Sequence, residues 1–223
     1  MAYGYNGGLL YELAEGTRIG VHYRSKIEYD VDLDADFDVP AGARAFFTAA
    51  GAPTAFTDGG AKVKLTIPET FSASVYHEID PRWAVMADVT WTRWSQFEEV
   101  RVNFDNPATP ANVLETQWND VFRVAVGATY AWSDSLTLRG GLAFDESPID
   151  DAFRGPGIPD SDRYVIAVGV GYRLTESVLL DVGYQHLFLK DGSTARPSGT
   201  GSVLNGNFDV DIDVLSLGVN WQF

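Results

Sequence analysis

The sequence predicts an all-β protein, a transmembrane antiparallel up-and-down β-barrel, and three observations point to it. The first is the final stretch, VDIDVLSLGVNWQF (210–223), in which Leu215, Leu217, Val219, Trp221 and Phe223 fall on one face and Ser216, Gly218, Asn220 and Gln222 on the other. Side chains of a strand alternate between faces with a period of two, so one face is apolar and aromatic and the other small and polar. The second is that this alternation recurs along about nine strands, while no apolar run approaches the roughly 18 residues of a membrane helix. The third is the connections, which alternate between tight turns (AEG, DPR, SDS and TES) and long loops beginning at Val39, Asp105, Glu146 and Lys190. Short periplasmic turns and long extracellular loops are the rule for outer-membrane barrels. A soluble sandwich has no reason to gather its long loops at one end, although an up-and-down soluble barrel of lipocalin type could.

Each element follows from the same pattern. Tyr3 to Leu13 alternates, and Ala14-Glu15-Gly16 turns it. Thr17 to about Phe37 reads as one long strand, with Ile19, Val21 and Tyr23 on its apolar face and an acidic ladder, Glu28, Asp30, Asp32, Asp34 and Asp36, on its polar one. Pro40 to Gly60 reads as a long loop. Lys62 to Ile79 is a strand interrupted at Pro68, which has no N–H for a ladder. Trp83 to Phe104 is long, and Asp105 to Gln117 is a loop. Trp118 to Trp132 alternates most cleanly. Leu136–Asp145, Arg163–Leu174 and Val178 to about Leu189 follow, the first two separated by the loop 146–162. Lys190 to Asp209 is the last loop before the closing strand.

Composition bounds the function. The 223 residues carry a net charge of −15, which excludes nucleic acid as a partner because its phosphates need a basic surface. There is no cysteine, so disulfide and thiolate chemistry are absent. Mean hydropathy is −0.09, as expected where the apolar half is hidden in alternation. MAYGYNGGLLYEL lacks the basic start and small-residue cleavage site of a secretion signal. His22, His77 and His186 have no metal-type spacing, and no nucleophile elbow is present. Neither a cofactor, a metal nor catalysis is expected.

Tyr11, Trp83, Trp132, Tyr172 and Trp221 lie on the apolar face beside a short turn or the C-terminus, where an interfacial aromatic girdle belongs. Trp83 with Trp91, and Tyr164 with Tyr172, are eight positions apart, or ~20 Å once tilted, near the ~25 Å apolar band of a barrel. Nine strands place Met1 at the end opposite the C-terminus, whereas single-chain bacterial barrels have even strand counts. Either the count is off by one, or the first segment does not span, or the chain is part of something larger. The missing secretion signal favours the last, so residues 1–223 are expected to form a single domain that is the C-terminal portion of a larger barrel.

The segments WAVMADVTWTRWSQFEEVRVNF (83–104), VFRVAVGATYAWSDSLTLRGGLAFDESPI (121–149), IPDSDRYVIAVGVGYRLTESV (158–178), LDVGYQHLFLKD (180–191) and GGLLYELAEGTRIGVHYRSKI (7–27) resemble the later strands of the FadL-type long-chain fatty-acid transporters of Gram-negative outer membranes. The resemblance runs from about Tyr3 to Phe223. It implies a monomeric barrel with an N-terminal hatch, an extracellular apolar groove that captures ligand and a lateral exit. The hatch and opening strands have no counterpart here. It also implies that Phe223 is read by the barrel-assembly machinery.

Within the loop 40–60, Phe46, Phe47 and Phe56 sit among seven alanines with no acidic residue before Asp58. Exposed apolar patches mark ligand or partner surfaces. By position the loop is similar to one that forms the family's capture groove, so the three phenylalanines are candidates to line a first site for an acyl chain. Their alternative role is to pack the loop onto the rim. Arg24, Arg123 and Arg139, with Arg18 and Lys26, fall on the polar face and are candidates to meet a carboxylate, although lumen arginines usually pair with lumen acids, and Asp88, Asp145 and Asp181 are placed for that. Inward glycines (Gly127, Gly141, Gly169, Gly171, Gly183, Gly218) leave room on that face. The acidic ladder, with ~6.6 Å between same-face neighbours, is too open to share one ion; it reads as solvated charge bridged to lipopolysaccharide by divalent cations. The expected function is passive uptake of long-chain fatty acids or other hydrophobic molecules across the outer membrane, with outer-membrane lipid and lipopolysaccharide as surroundings. The alternative is a structural or adhesin-like barrel whose loops are contact surfaces.

Overall fold

The computed structural model describes residues 1–197 and 201–222. In chain order the elements are β1 (Asn6–Ala14), β2 (Thr17–Arg24), β3 (Ile27–Ala35), α1 (Ala41–Ala49), β4 (Gly59–Ile67), β5 (Thr70–Glu78), β6 (Trp83–Thr92), β7 (Glu99–Phe104), β8 (Asn112–Glu115), β9 (Val121–Ala131), β10 (Leu136–Asp145), β11 (Arg163–Arg173), β12 (Val178–Leu189), β13 (Gly192–Pro197), β14 (Val203–Phe208) and β15 (Asp211–Trp221). Nine of the strands form one sheet in the order β1-β2-β5-β6-β9-β10-β11-β12-β15. Every pairing in it is antiparallel and joins neighbours in that order. The sheet is open, with β1 and β15 as its edges.

The register aligns the apolar residues in rows. Val126 faces Leu142, which faces Ile166; Val168 faces Tyr184; Val182 faces Leu217. These rows are open to the surroundings: Leu217 is 77% exposed and Val168 56%. Among the described residues no large side chain is fully buried. At about 25 cal/mol per Å² of apolar surface, such a face is unfavourable in water and suits hydrocarbon. Two belts of aromatics bound it. Tyr11, Trp83, Tyr130, Trp132, Tyr172 and Trp221 lie toward the short turns. Tyr23, Phe71, Trp91 and Phe122 form a continuous cross-strand row toward the long loops.

The structure divides three long stretches, 17–37, 62–79 and 83–104, and corrects the assignment of two of them, 17–37 and 83–104, as single strands. The first breaks at Ser25, whose N–H donates to the Tyr5 carbonyl and whose hydroxyl oxygen accepts from the Tyr5 N–H, each at 2.9 Å. The second breaks at Pro68, where the sequence places it. The third breaks after Thr92, where a 3-10 turn spans Trp94–Gln96. Beyond the breaks the chain forms a second sheet, β3-β4-β7-β8, and the loop after β12 holds the hairpin β13–β14. Glu28, Asp30, Asp32 and Asp34 of the acidic ladder lie on β3, where Asp30 faces Lys64 and Asp32 faces Lys62 on β4. The closest approach there is Lys64 Nζ to Asp30 Oδ1, 3.9 Å. Phe223 lies outside the described residues.

Candidate functional site

The segment 40–60 is more ordered than a loop: Ala41–Ala49 is helical. Alanine is the strongest helix former, and Pro40, with φ −54°, stands just before the first turn, where a missing N–H does no harm. Gly51, at φ +81°, closes the helix in the left-handed region that glycine favours. Phe46 and Phe47 ride on the last turn. Phe46 is 69% exposed. Their rings begin a continuous chain: Phe46 to Phe47 5.8 Å between centroids, Phe47 to Phe56 5.1 Å, Phe56 to Phe37 5.6 Å and Phe37 to Phe104 5.4 Å. The three predicted phenylalanines are thus brought together. Phe37 and Phe104, which the sequence did not single out, join them to the ends of β3 and β7.

Phe56 holds the patch in place. Its φ is +56°, an unusual value for a bulky residue that costs of order 1–3 kcal/mol unless the surroundings fix it. Here they do. The Phe56 N–H donates to Thr109 Oγ1 at 2.9 Å, and its carbonyl accepts from Arg44 Nη2 at 3.0 Å. Arg44 Nη1 donates to the carbonyls of Ala55 (2.5 Å) and Pro53 (3.2 Å). Asn106 Nδ2 donates to the Thr54 carbonyl at 2.6 Å, and the Phe37 N–H to Asp58 Oδ1 at 2.7 Å. The result is a fixed aromatic surface, exposed at Phe46 and anchored at Phe104.

The arginines are not gathered into one site. Arg123 Nη1 lies 3.3 Å from Asp88 Oδ2, and Arg139 Nη1 2.5 Å from Asp181 Oδ1. Gly171 leaves room for the second pair, because a Cβ there would sit 2.9 Å from both Arg139 Nη2 and Asp181 Oδ1. Arg24, at the upper end of β2 opposite Thr70, has no ion pair among the described residues. Lys26 does not continue the polar face. The break at Ser25 carries it into a cleft shared with Tyr5, Tyr23 and Arg93.

Other residues stand out only in three dimensions. Trp94, Phe97 and Trp118 cluster, with Trp94 to Trp118 at 5.0 Å and Phe97 to Trp118 at 4.7 Å. Arg154 is buried and ties the loop 146–162 to β13. It donates to the carbonyls of Ile149 (2.8 Å), Asp160 (2.7 Å) and Ser193 (2.5 Å), and pairs with Asp151. No local pattern marks it, because its partners are mostly backbone carbonyls. Asp162 at the upper end of β11 is pushed up by burial, but the Ser147 N–H and Lys190 outweigh this and hold it below the usual carboxylate range.

The whole chain, residues 1–223, matches the family described as "Outer membrane protein transport protein (OMPP1/FadL/TodX)". It is 32% identical over 189 residues to the long-chain fatty acid transport protein of Escherichia coli K12, covering 83% of this chain and 41% of that protein. It is 34% identical over 189 residues to a 47 kDa outer membrane protein of Pasteurella multocida, covering 83% of this chain and 43% of that one. The chain therefore spans less than half the length of these relatives. Among solved structures it superposes on a Pseudomonas aeruginosa FadL homologue with a TM-score of 0.87 at 24% identity, covering 98% of this chain and 52% of that one. The Pseudomonas putida toluene transporter TodX gives 0.63 at 17% identity, covering 100% and 50%.

Proposed function

The chain belongs to the OMPP1/FadL/TodX family of outer membrane transport proteins, with the β-barrel fold and outer-membrane location of that family, and from this premise we propose that it serves passive uptake of long-chain fatty acids or other hydrophobic molecules. Two of the matched proteins are named for transport, one of long-chain fatty acid and one of toluene. The observation that supports the reading most is the ring chain from Phe46 to Phe104. A rigid apolar surface on the loop side of the membrane gives an apolar tail a place to leave water, at ~0.8 kcal/mol per buried methylene. Because the backbone beneath the rings donates to Thr109 and Asp58 and accepts from Arg44, little order has to be imposed when a ligand arrives. Phe46, Phe47 and Phe56 are the contact residues in this proposal, and Arg24, with no ion pair among the described residues, is the arginine best able to meet a carboxylate. Arg123 and Arg139 would first have to leave Asp88 and Asp181. We place residues 1–223 as one barrel domain and part of a larger barrel, and no catalytic step is proposed.

Titration with a fluorescent long-chain fatty acid tests the reading. Phe46→Asp with Phe47→Asp is expected to weaken binding about tenfold or more, since two exposed rings are replaced by charge. Unchanged binding in a folded double variant would sink it and leave the surface-contact role for these loops.

A further inference from the structure

The cleft that carries Lys26 opens on the membrane side of the wall. Tyr23 is the last residue of β2 on the face that holds Ile19 and Val21, and it sits opposite Phe71. Glu69 stands two residues before Phe71, and Arg93 two residues after Trp91, its partner on β6. The Arg93 N–H donates to the Glu69 carbonyl at 3.0 Å, so the ladder extends one step and keeps both side chains on that same face. The apolar rows therefore end at their loop-side edge in a polar group. Tyr23 Oη donates to Glu69 Oε2 at 2.5 Å, Arg93 Nη1 to Glu69 Oε1 at 2.9 Å and Gln96 Nε2 to the same oxygen at 3.3 Å. The Tyr5 and Tyr23 rings, 5.9 Å apart, wall a cleft of about 540 Å³.

Exposure separates the charges. The Glu69 side chain is 16% exposed, with Arg93 at 48%, and Lys26 is 51% exposed. The carboxylate is recessed and fixes the guanidinium, while the two cations are presented. Arg93 keeps Nε and Nη2 free of any hydrogen bond among the described residues, a geometry suited to a phosphate. Lys26 Nζ is bound to Glu28 at 2.8 Å in an exposed pair, the kind that exchanges readily. Two cations and one carboxylate line the cleft, with the Glu28 carboxylate on Lys26 at its edge.

We propose that this cleft seats the phosphorylated headgroup of an outer-leaflet glycolipid, with the phosphate between Arg93 and Lys26, the sugar against Tyr5 and Tyr23, and an acyl chain descending over Phe71 and Trp91. A free anion has no use for the aromatic wall or for the apolar rows below it. A lipid uses all three, because its charge, its ring and its tail are ordered in space as the cleft orders arginine, tyrosine and phenylalanine. The assignment does not depend on transport; a chain that moved nothing across the membrane would keep it.

Native mass spectrometry of the full chain in detergent tests the site with three probes: lipid A bearing both phosphates, the same lipid stripped of phosphate, and inorganic phosphate. One phosphorylated lipid is expected to bind, about tenfold more tightly than the stripped lipid. Lys26→Gln with Arg93→Gln is expected to abolish that difference, while Arg101→Gln, on β7, leaves it intact. Equal retention of the two lipids overturns the proposal, as does displacement of the lipid by inorganic phosphate at equal concentration. The lipid comparison uses the unaltered chain and so decides the matter even where the double variant does not fold.

Discussion

The two large sheets follow one alternation rule in two solvents. In the nine-stranded sheet the strands present apolar residues outward, and Leu142, Val168 and Leu217 are all exposed. In the four-stranded sheet β3-β4-β7-β8 the same period places Ala61 and Val63 on one face, and both are buried, Ala61 facing Phe104 of the ring chain. Its other face carries the Asp30–Lys64 and Asp32–Lys62 rows. Period two says only that two faces differ. Whether the apolar face meets lipid or protein depends on what lies across from it.

The sharpest test of that difference is a cation on each apolar face. Val168→Arg, in the middle of β11, is expected to cost about 2–4 kcal/mol in a bilayer. Tyr29→Arg on β3, which shares the face of Val63 but is 39% exposed, is expected to cost less than about 1 kcal/mol. Urea titration in lipid vesicles reads both, and equal effects would mean that the nine-stranded face does not meet hydrocarbon. A comparable but local effect is expected for Arg44→Ala, which leaves the carbonyls of Pro53, Ala55 and Phe56 without their donor at about 1 kcal/mol each. Limited proteolysis should then cut between residues 50 and 58 while the nine-stranded sheet stays intact; simultaneous loss of both would show that the loop is part of the wall's stability.

The seam between the sheets is expected to respond to pH. Glu69 is held below the usual carboxylate range, first by the Tyr23 hydroxyl and then by Arg93, against the opposing effect of burial. A depressed folded-state value stabilises fully above the ordinary glutamate range and is lost as pH falls through the lowered value. Glu69→Gln is therefore expected to flatten the acid limb of the stability profile, and an unchanged limb would assign acid sensitivity to other carboxylates. The smallest effect belongs to the charge rows. Lys62→Glu with Lys64→Glu places like charges opposite one another, worth a few tenths of a kcal/mol per pair and screened by salt. Hydrogen exchange of β3 at low and high salt measures it.

How much was legible follows from the range of each interaction. The break at Pro68 could be read because a missing N–H is a property of one residue. The break at Ser25 could not, because it depends on Tyr5, 20 positions away. The helix Ala41–Ala49 was hidden by the flanking Pro40 and Gly51, which mark loops as readily as helix ends. Phe46, Phe47 and Phe56 were visible as an apolar cluster in a segment poor in acids. Phe37 and Phe104 were not, because they lie on other elements and join only through ring contacts. The pairing of Arg123 and Arg139 with lumen acids was foreseen as a class, but which acid each takes is set by register.

The sequence by itself determined the period-two faces, the tight turns and the aromatic residues that bound the apolar band, since these follow from side-chain polarity and local turn chemistry. Only the tertiary structure decided where the long strands leave the wall to form a second sheet, which carboxylate meets which arginine, and that Lys26 and Arg93 share a cleft on the membrane face. Those outcomes depend on cross-strand register, which fixes every neighbour at once and is written in no single stretch of the chain.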